Sequence, residues 1–523
     1  MRRRLLASEK AKCAHVFIAV AVFALLCFTT PVKAVFEIPI GDKPLTIMGY
    51  VNQSVGYGLH DTFDTKGGFN SYLTQALIEG KYAPASNLTL FGSLKLNADW
   101  AYAAYAGSGP WKDRLYDEAR DRLFIYNQPR DYVQEAHVTW KPGDFLFRVG
   151  KQVVQWGETD GFLLTNQINP IDQRRGLTDV EFESTIIPIW LVRAEYAPPA
   201  IVPGVQDLNL QFIWNPNMDF ARNRSIELGG DYSGIWNPNI KVPLGGPVPP
   251  FDYAHLARYN DQLSYPKGTF DPQGMAFGGR ISGQVQDARV TLNGYYGRDH
   301  DVARKALPLP PTIGISPYDN RLLIGPAYEA YYPIFKFVGA TVGKDLDFLR
   351  SGALGGVSPV LRFEGMYAFN STFSSNNSQP IPDFFVTDEI RYMVGADWKI
   401  KVNALNPLAY FTISGQFYHQ HLMNYPSVGH VGNYITDIVY KDNYTTTLMV
   451  STTYLHNKLQ PSIFWLRNWS NRSEFVRPQI SYEYSDTWKY TLGGIVFIGE
   501  KEGQGFEPFN NKDQVYFTVS YKF

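Results

Sequence analysis

From Gln514 to Phe523 the chain alternates without a break: Val515, Phe517, Val519, Tyr521 and Phe523 fall on one face, Tyr516, Thr518, Ser520 and Lys522 on the other. A period of two with one aromatic-aliphatic face is a strand with one side in an apolar medium. About ten residues is the length a tilted strand needs to cross a bilayer. The pattern recurs upstream. Leu88, Leu90, Leu94, Leu96, Ala98 and Trp100 oppose Thr89, Ser93, Lys95, Asn97 and Asp99. Ile390, Tyr392, Val394, Ala396, Trp398 and Ile400 oppose Arg391, Asp397 and Lys399, and Val476, Ile480, Tyr482 and Tyr484 oppose Arg477, Gln479, Ser481 and Glu483.

Such segments begin near residues 45, 71, 87, 132, 145, 188, 207, 274, 287, 331, 357, 388, 407, 442, 459, 474, 487 and 513. They predict an all-β fold, a transmembrane antiparallel barrel of about 18 strands, with about 16 as the alternative; both counts are even, as single-chain bacterial barrels require. Connections alternate between short turns, such as Lys141-Pro142-Gly143-Asp144, and long loops at about 101–131, 155–187, 215–273, 298–330, 371–387 and 421–441. Short periplasmic turns and long extracellular loops put both termini in the periplasm.

The N-terminus adds a compartment. Arg2, Arg3, Arg4, Lys10 and Lys12 precede an apolar run from Val16 to Phe28 and small residues at Val32 and Ala34, the layout of a signal peptide cleaved after Ala34. The expectation is export to the outer membrane of a Gram-negative cell and one barrel domain over 35–523, with no room for an N-terminal plug. Both cysteines, Cys13 and Cys27, fall inside this leader, so no disulfide, thiolate metal site or cysteine nucleophile is expected. Removing the six basic and one acidic residues of 1–34 from totals of 48 and 49 leaves 42 and 48, a balance that argues against nucleic acid. No later stretch approaches about 18 consecutive apolar residues, mean hydropathy is −0.22, and aromatics at 15% suit two interfacial girdles.

Residues 132–196 are the most distinctive stretch: a strand ending at Trp140, a tight turn, Phe147-Arg148-Val149, then GKQVVQWGE from Gly150, followed by Asn169-Pro170-Ile171-Asp172 and Pro188. With Phe270-Asp271-Pro272, Gly274-Met275-Ala276, Leu361-Arg362-Phe363-Glu364 and the terminal Phe523, this resembles the proteobacterial outer-membrane family catalogued as domain of unknown function 1302 (DUF1302), over nearly the whole mature chain. The resemblance implies a channel-like outer-membrane protein for hydrophobic or lipid-like molecules, with no established substrate.

Phase places Lys95, Asp99, Glu135, His137, Arg148, Arg193, Glu195, Arg280, Arg289, Arg362, Glu364, Arg391, Lys399, Arg477 and Glu483 in the lumen. Arg193 with Glu195 and Arg362 with Glu364 are i, i+2 neighbours about 7 Å apart on one wall. They read either as a ladder that orders a polar solute or as the self-paired lining any water-filled barrel needs. Gln152 faces the lumen, whereas Lys151 falls on the lipid phase unless it reaches the headgroups or a bulge intervenes. Trp156 reads as an interfacial girdle residue, or as the start of a loop, 155–187, that folds inward with Glu158, Asp172, Arg174 and Arg175 as a charged constriction. Tyr521 and Phe523 are the expected signal to the barrel-assembly machinery.

No G-x-S-x-G elbow, H-E-x-x-H helix or P-loop occurs, so neither a catalytic residue nor a cofactor is expected. His419 and His421 read as exposed loop histidines, with metal binding as the sharper alternative. The sequence therefore predicts a porin-like barrel, not an enzyme, in contact with outer-membrane lipids and passing a small organic solute. A binding sleeve for a periplasmic partner, a barrel hydrolase, and a homo-oligomer stay open.

Overall fold

The computed structural model describes residues 35–59, 69–100, 132–157, 164–172, 185–199, 202–224, 261–264, 268–306, 312–315, 322–324, 328–376, 384–427, 430–433, 437–501, 504–510 and 512–523. The leader 1–34, Glu158, Arg174 and Arg175 lie outside these residues. The wall is built from β1 (Lys43–Gly58), β2 (Phe69–Ala85), β3 (Leu88–Asp99), β4 (Val133–Trp140), β5 (Phe145–Gln152), β6 (Ile189–Tyr196), β7 (Val205–Asn215), β8 (Ala276–Val285) and β9 (Ala288–Arg298). It continues through β10 (Ile334–Asp345), β11 (Val360–Asn376), β12 (Phe384–Ile400), β13 (Phe411–Leu422), β14 (Asp442–Ser451), β15 (Leu459–Asn468), β16 (Ser473–Glu483), β17 (Trp488–Gly499) and β18 (Gln514–Lys522). Each strand pairs antiparallel with its neighbours in the chain, and β18 pairs with β1 from Tyr50↔Lys522 to Gly58↔Gln514, closing an 18-strand barrel. Closure satisfies every ladder without an edge, which a sheet in lipid must do.

The alternation read from the sequence becomes inside against outside. Leu94, Leu96, Val138, Phe145, Val149, Phe277, Ile281, Leu292, Val338, Val394, Phe417, Val515 and Phe517 are exposed on the outer face, while Ser93, Lys95, Asp99, Thr139, Thr291 and Glu364 are buried inside. Aromatics group near the ends of strands, as in Phe145 against Tyr196 at 4.6 Å and Trp488 against Tyr521 at 4.8 Å, where a membrane interface places them. No helix among the described residues is long and apolar enough to cross a membrane.

Three features depart from the sequence reading. A short strand, Phe36–Ile40, precedes β1 and pairs with its first residues; Phe36, Ile38 and Ile40 alternate with Glu37 and Pro39, but a proline within so short a run argues against a strand. Strands β11 and β12 extend through most of 371–387, read as a loop, because pairing resumes at Ser371↔Thr387 beyond a bulge. The loops carry strands of their own: Ala303–Ala306 with Tyr328–Tyr331 and Asp261–Ser264, Thr312–Ile315 with Leu322–Ile324, and His430–Asn433 with Asp437–Val439. Lys151 lies on the outer phase as expected, but its ammonium donates to the Val133 carbonyl at 2.7 Å, beside the bulge at Ser93/Leu94 in the β3–β4 ladder.

Candidate functional site

The interior has two tiers. The extracellular half is built around an apolar cluster, with paired polar side chains at its edges. After β5 the chain turns into the lumen, and Val154, Trp156, Leu164 and Ile168 form one buried cluster with Ile189 and Leu191 of β6, Ile213 of β7, Tyr295 of β9, Phe335 and Phe337 of β10, Met366 of β11, Met393 of β12 and Tyr418 of β13. Trp156 is 1% exposed: it packs inside the barrel and not in a membrane girdle. Glycine makes room for it, since a Cβ at Gly278 would lie 2.5 Å from the indole ring.

Hydrogen bonds hold this segment at several points. Val153 N–H donates to Glu135 Oε1 at 2.7 Å, Val154 N–H to Asn169 Oδ1 at 2.8 Å, and Gly157 N–H to Asn166 Oδ1 at 2.8 Å. The Trp156 indole N–H donates to Gln211 Oε1. Thr165 reaches the far wall, donating to Glu364 Oε1 from its backbone N–H at 2.7 Å and from Oγ1 at 2.6 Å. Buried carboxylates persist only when so satisfied.

Neighbouring loops brace the segment from above. His300 Nε2 lies 3.0 Å from the Ile168 carbonyl, Asn223 Oδ1 accepts from Ile171 N–H at 2.8 Å, and Asn223 Nδ2 donates to Asp301 Oδ1 at 2.8 Å. Asp172 pairs with Arg224 at 3.6 Å. Burial, and next the charge of Asp301, push Asp299 up to about 7, with Arg391 pulling the other way; burial lowers the pKa of His300. On the opposite side of the mouth, Phe506 and Phe509 of the β17–β18 loop pack on the cluster of Leu466, Phe475, Ile495, Phe497 and Tyr516. The sequence reading missed this second inward loop, whose only signal is two phenylalanines in a segment too short to form a core alone.

Toward the periplasmic end the interior is polar and charged. Arg148 and Arg193 are register partners on β5 and β6, and Arg148 Nε donates to Thr139 Oγ1 at 2.9 Å. Arg193 forms an ion pair with Glu195, which also accepts from Gln211 Nε2 at 2.9 Å. Arg280 extends this basic wall, its Nη1 3.4 Å from the Gln155 carbonyl. Across the lumen, Arg362 meets Asp397 of β12 through Nη2–Oδ1 at 2.8 Å and Nε–Oδ2 at 2.7 Å. Glu364, two residues away and paired with Arg362 in the sequence reading, instead accepts from Thr165. Higher up, Glu389 is fully buried and takes two bonds from Arg391, at 2.9 and 2.8 Å, and one from Gln420 at 2.7 Å.

Of the residues singled out from the sequence, Arg148, Arg193, Glu195 and Arg362 therefore line the charged tier. Trp156 and Glu364 hold the inward segment. Gln152 faces inward but is fully buried, its Nε2 donating to the Leu191 carbonyl at 3.1 Å. Tyr521 and Phe523 close the barrel seam: Phe523 exchanges backbone hydrogen bonds with Gly49 at 2.8 and 3.0 Å and packs on Phe36 at 5.9 Å. His419 and His421 belong to β13 rather than to a loop, half-buried at its extracellular end.

Comparison with known structures returns outer-membrane proteins at low identity. Acinetobacter baumannii OccAB4 aligns at 9% identity and a TM-score of 0.45, covering 91% of this chain and 97% of that one. Acinetobacter baumannii OccAB3 aligns at 10% and 0.44, over 92% and 100%. Pseudomonas aeruginosa OpdK, solved with vanillate, aligns at 8% and 0.43, over 91% and 98%. No curated protein sequence matches the chain. A family model matches residues 17–217 and 274–523, and the chain, a closed antiparallel β-barrel of 18 strands, belongs to the family described as "Protein of unknown function (DUF1302)".

Proposed function

We propose that this barrel is a passive channel for small organic solutes, gated at its extracellular half by the inward segment that starts at Val153. The observation that carries the reading is the two-tier interior: a charged wall of Arg148, Arg193, Glu195, Arg280 and the Arg362–Asp397 pair below an apolar seat filled by Trp156, Leu164 and Ile168. An 18-strand barrel encloses more volume than its own wall side chains fill. Charges facing that volume need water or a polar solute to remain ionised, whereas the seat above needs neither. A solute that displaces the segment would enter a field set by arginines on one wall and carboxylates near them, which orders dipolar molecules.

The passage is proposed to follow export by a leader cleaved after Ala34 and insertion with both termini in the periplasm. The same apolar seat is also the observation that favours a second reading, a closed sleeve that binds a partner without conducting. Swelling of liposomes that carry the refolded protein, measured with uncharged and zwitterionic solutes of increasing size, separates the two. The channel reading expects swelling that falls off with solute size. Swelling equal to that of protein-free liposomes for every solute would leave the sleeve.

A further inference from the structure

The outer rim of the barrel carries a side-chain cluster that solute passage does not use. His419 and His421 project from the same, outward face of β13, two residues apart, and Asp442 opens β14 directly opposite His421 in the register. Their ligand atoms lie within 4.8 Å of one another. His419 Nε2 is 2.9 Å and His421 Nδ1 2.7 Å from the same carboxylate oxygen, Asp442 Oδ1.

One carboxylate oxygen has two lone pairs and can accept from both imidazoles, so the three side chains hold together without a metal. Two imidazole nitrogens and one carboxylate oxygen are, however, three of the four ligands of a tetrahedral site with an open position. Zinc bonds to such atoms at about 2.0–2.2 Å, which sets neighbouring ligand atoms about 3.3 Å apart. The two nitrogen–oxygen separations, 2.9 and 2.7 Å, are shorter than this by about half an ångström, and the two nitrogens lie within 4.8 Å of each other, so small side-chain rotations bring the three atoms to that spacing. The His419 ring is already held: it stacks on Tyr444 at 4.5 Å and meets the edge of Tyr392 at 5.2 Å. Imidazole ligands select late transition metals over magnesium and calcium, which prefer all-oxygen sets.

The geometry points to a binding site for one divalent late transition-metal ion, with zinc as the probe, held by His419 Nε2, His421 Nδ1 and Asp442 Oδ1 on the outer wall at the extracellular rim. The ion would clip β13 to β14 just below their connecting loop, its fourth position taken by water. This inference stands apart from the channel reading, since the site faces away from the lumen.

The test is calorimetric titration of zinc chloride into the refolded, metal-free protein in detergent, with cobalt(II) substitution read by visible absorption. The expected result is one equivalent bound, with cobalt bands of a low-coordinate site. The His419→Gln, His421→Gln double variant should bind more weakly by more than about 100-fold, the upper end of what losing an outer-sphere partner costs. His456→Gln, in a turn at the opposite end, should bind like the parent. Asp442→Asn, which keeps the side-chain shape, gives the same reading if the double variant fails to regain its heat-modifiable mobility. No binding by the parent, or binding unchanged in both the double variant and Asp442→Asn, would overturn the assignment.

Discussion

Trp156→Ala tests whether the inward segment gates the barrel. The indole is 1% exposed in the apolar seat and donates to Gln211. Truncating a buried aromatic costs about 3–5 kcal/mol. Gln211 Oε1 would lose its indole donor while Gln211 Nε2 keeps its bond to Glu195, and an acceptor left unmet costs about 1–3 kcal/mol. None of this loss falls on the strand ladders. It bears on the seating of residues 153–157 and 164–172, so a total of at least about 4 kcal/mol at about 1.4 kcal/mol per decade raises the displaced population by about three orders of magnitude or more. Planar-bilayer recordings should show larger or longer openings for Trp156→Ala than for the parent, with unchanged heat-modifiable mobility. Thr165→Val, which removes one of the two bonds to Glu364, should shift openings in the same direction by less. A folded Trp156→Ala barrel whose openings match the parent in size and duration would refute the gating argument.

Three further outcomes follow. Asp299, held up at about 7 by burial and Asp301, sits above its unfolded value of about 3.9; an acid so raised favours the packed loop when protonated, and that contribution is lost as pH rises through 7. Amide exchange at 299–301, corrected for intrinsic rate, should therefore be faster at pH 8 than at pH 6, and Asn at position 299 should remove the difference. Gly150 has φ +137°, and a Cβ there would lie 2.2 Å from the Ala136 carbonyl oxygen; Gly150→Ala should lower the yield of heat-modifiable barrel, and normal yield would show that β4 and β5 adapt. Deleting Phe523, or replacing it with Asp, should leave unfolded protein in the periplasm through loss of its contacts with Phe36 and Gly49, and normal assembly would limit this residue to packing.

The wall was legible because strands in lipid obey one local rule, alternation, wherever they occur in the chain. Leu94 and Lys95 announce their faces without reference to any distant residue. The interior was legible only as far as that rule extends. It placed Arg148, Arg193 and Arg362 in the lumen but assigned Arg362 to Glu364, because partners across strands depend on register and the inward segment claims Glu364 through Thr165. Trp156 was ambiguous for the same reason, since a tryptophan where a strand ends satisfies a girdle and a core equally well. The strands inside loops, three or four residues each, are too short to show a period, and the Phe506–Phe509 turn is fixed by contacts with residues such as Leu466 and Phe475, far away in the chain. His419 and His421 were visible as a pair, yet Asp442 became their neighbour only through the β13–β14 register.

The central claim is that this closed, charge-lined barrel conducts when its inward segment moves. Single-channel recording of the refolded parent protein in a planar lipid bilayer tests it most directly. Discrete openings with ohmic current that need no energy source, and brief closures as the segment reseats, are the expected result. A folded, bilayer-inserted barrel that passes no current at any applied voltage would contradict it.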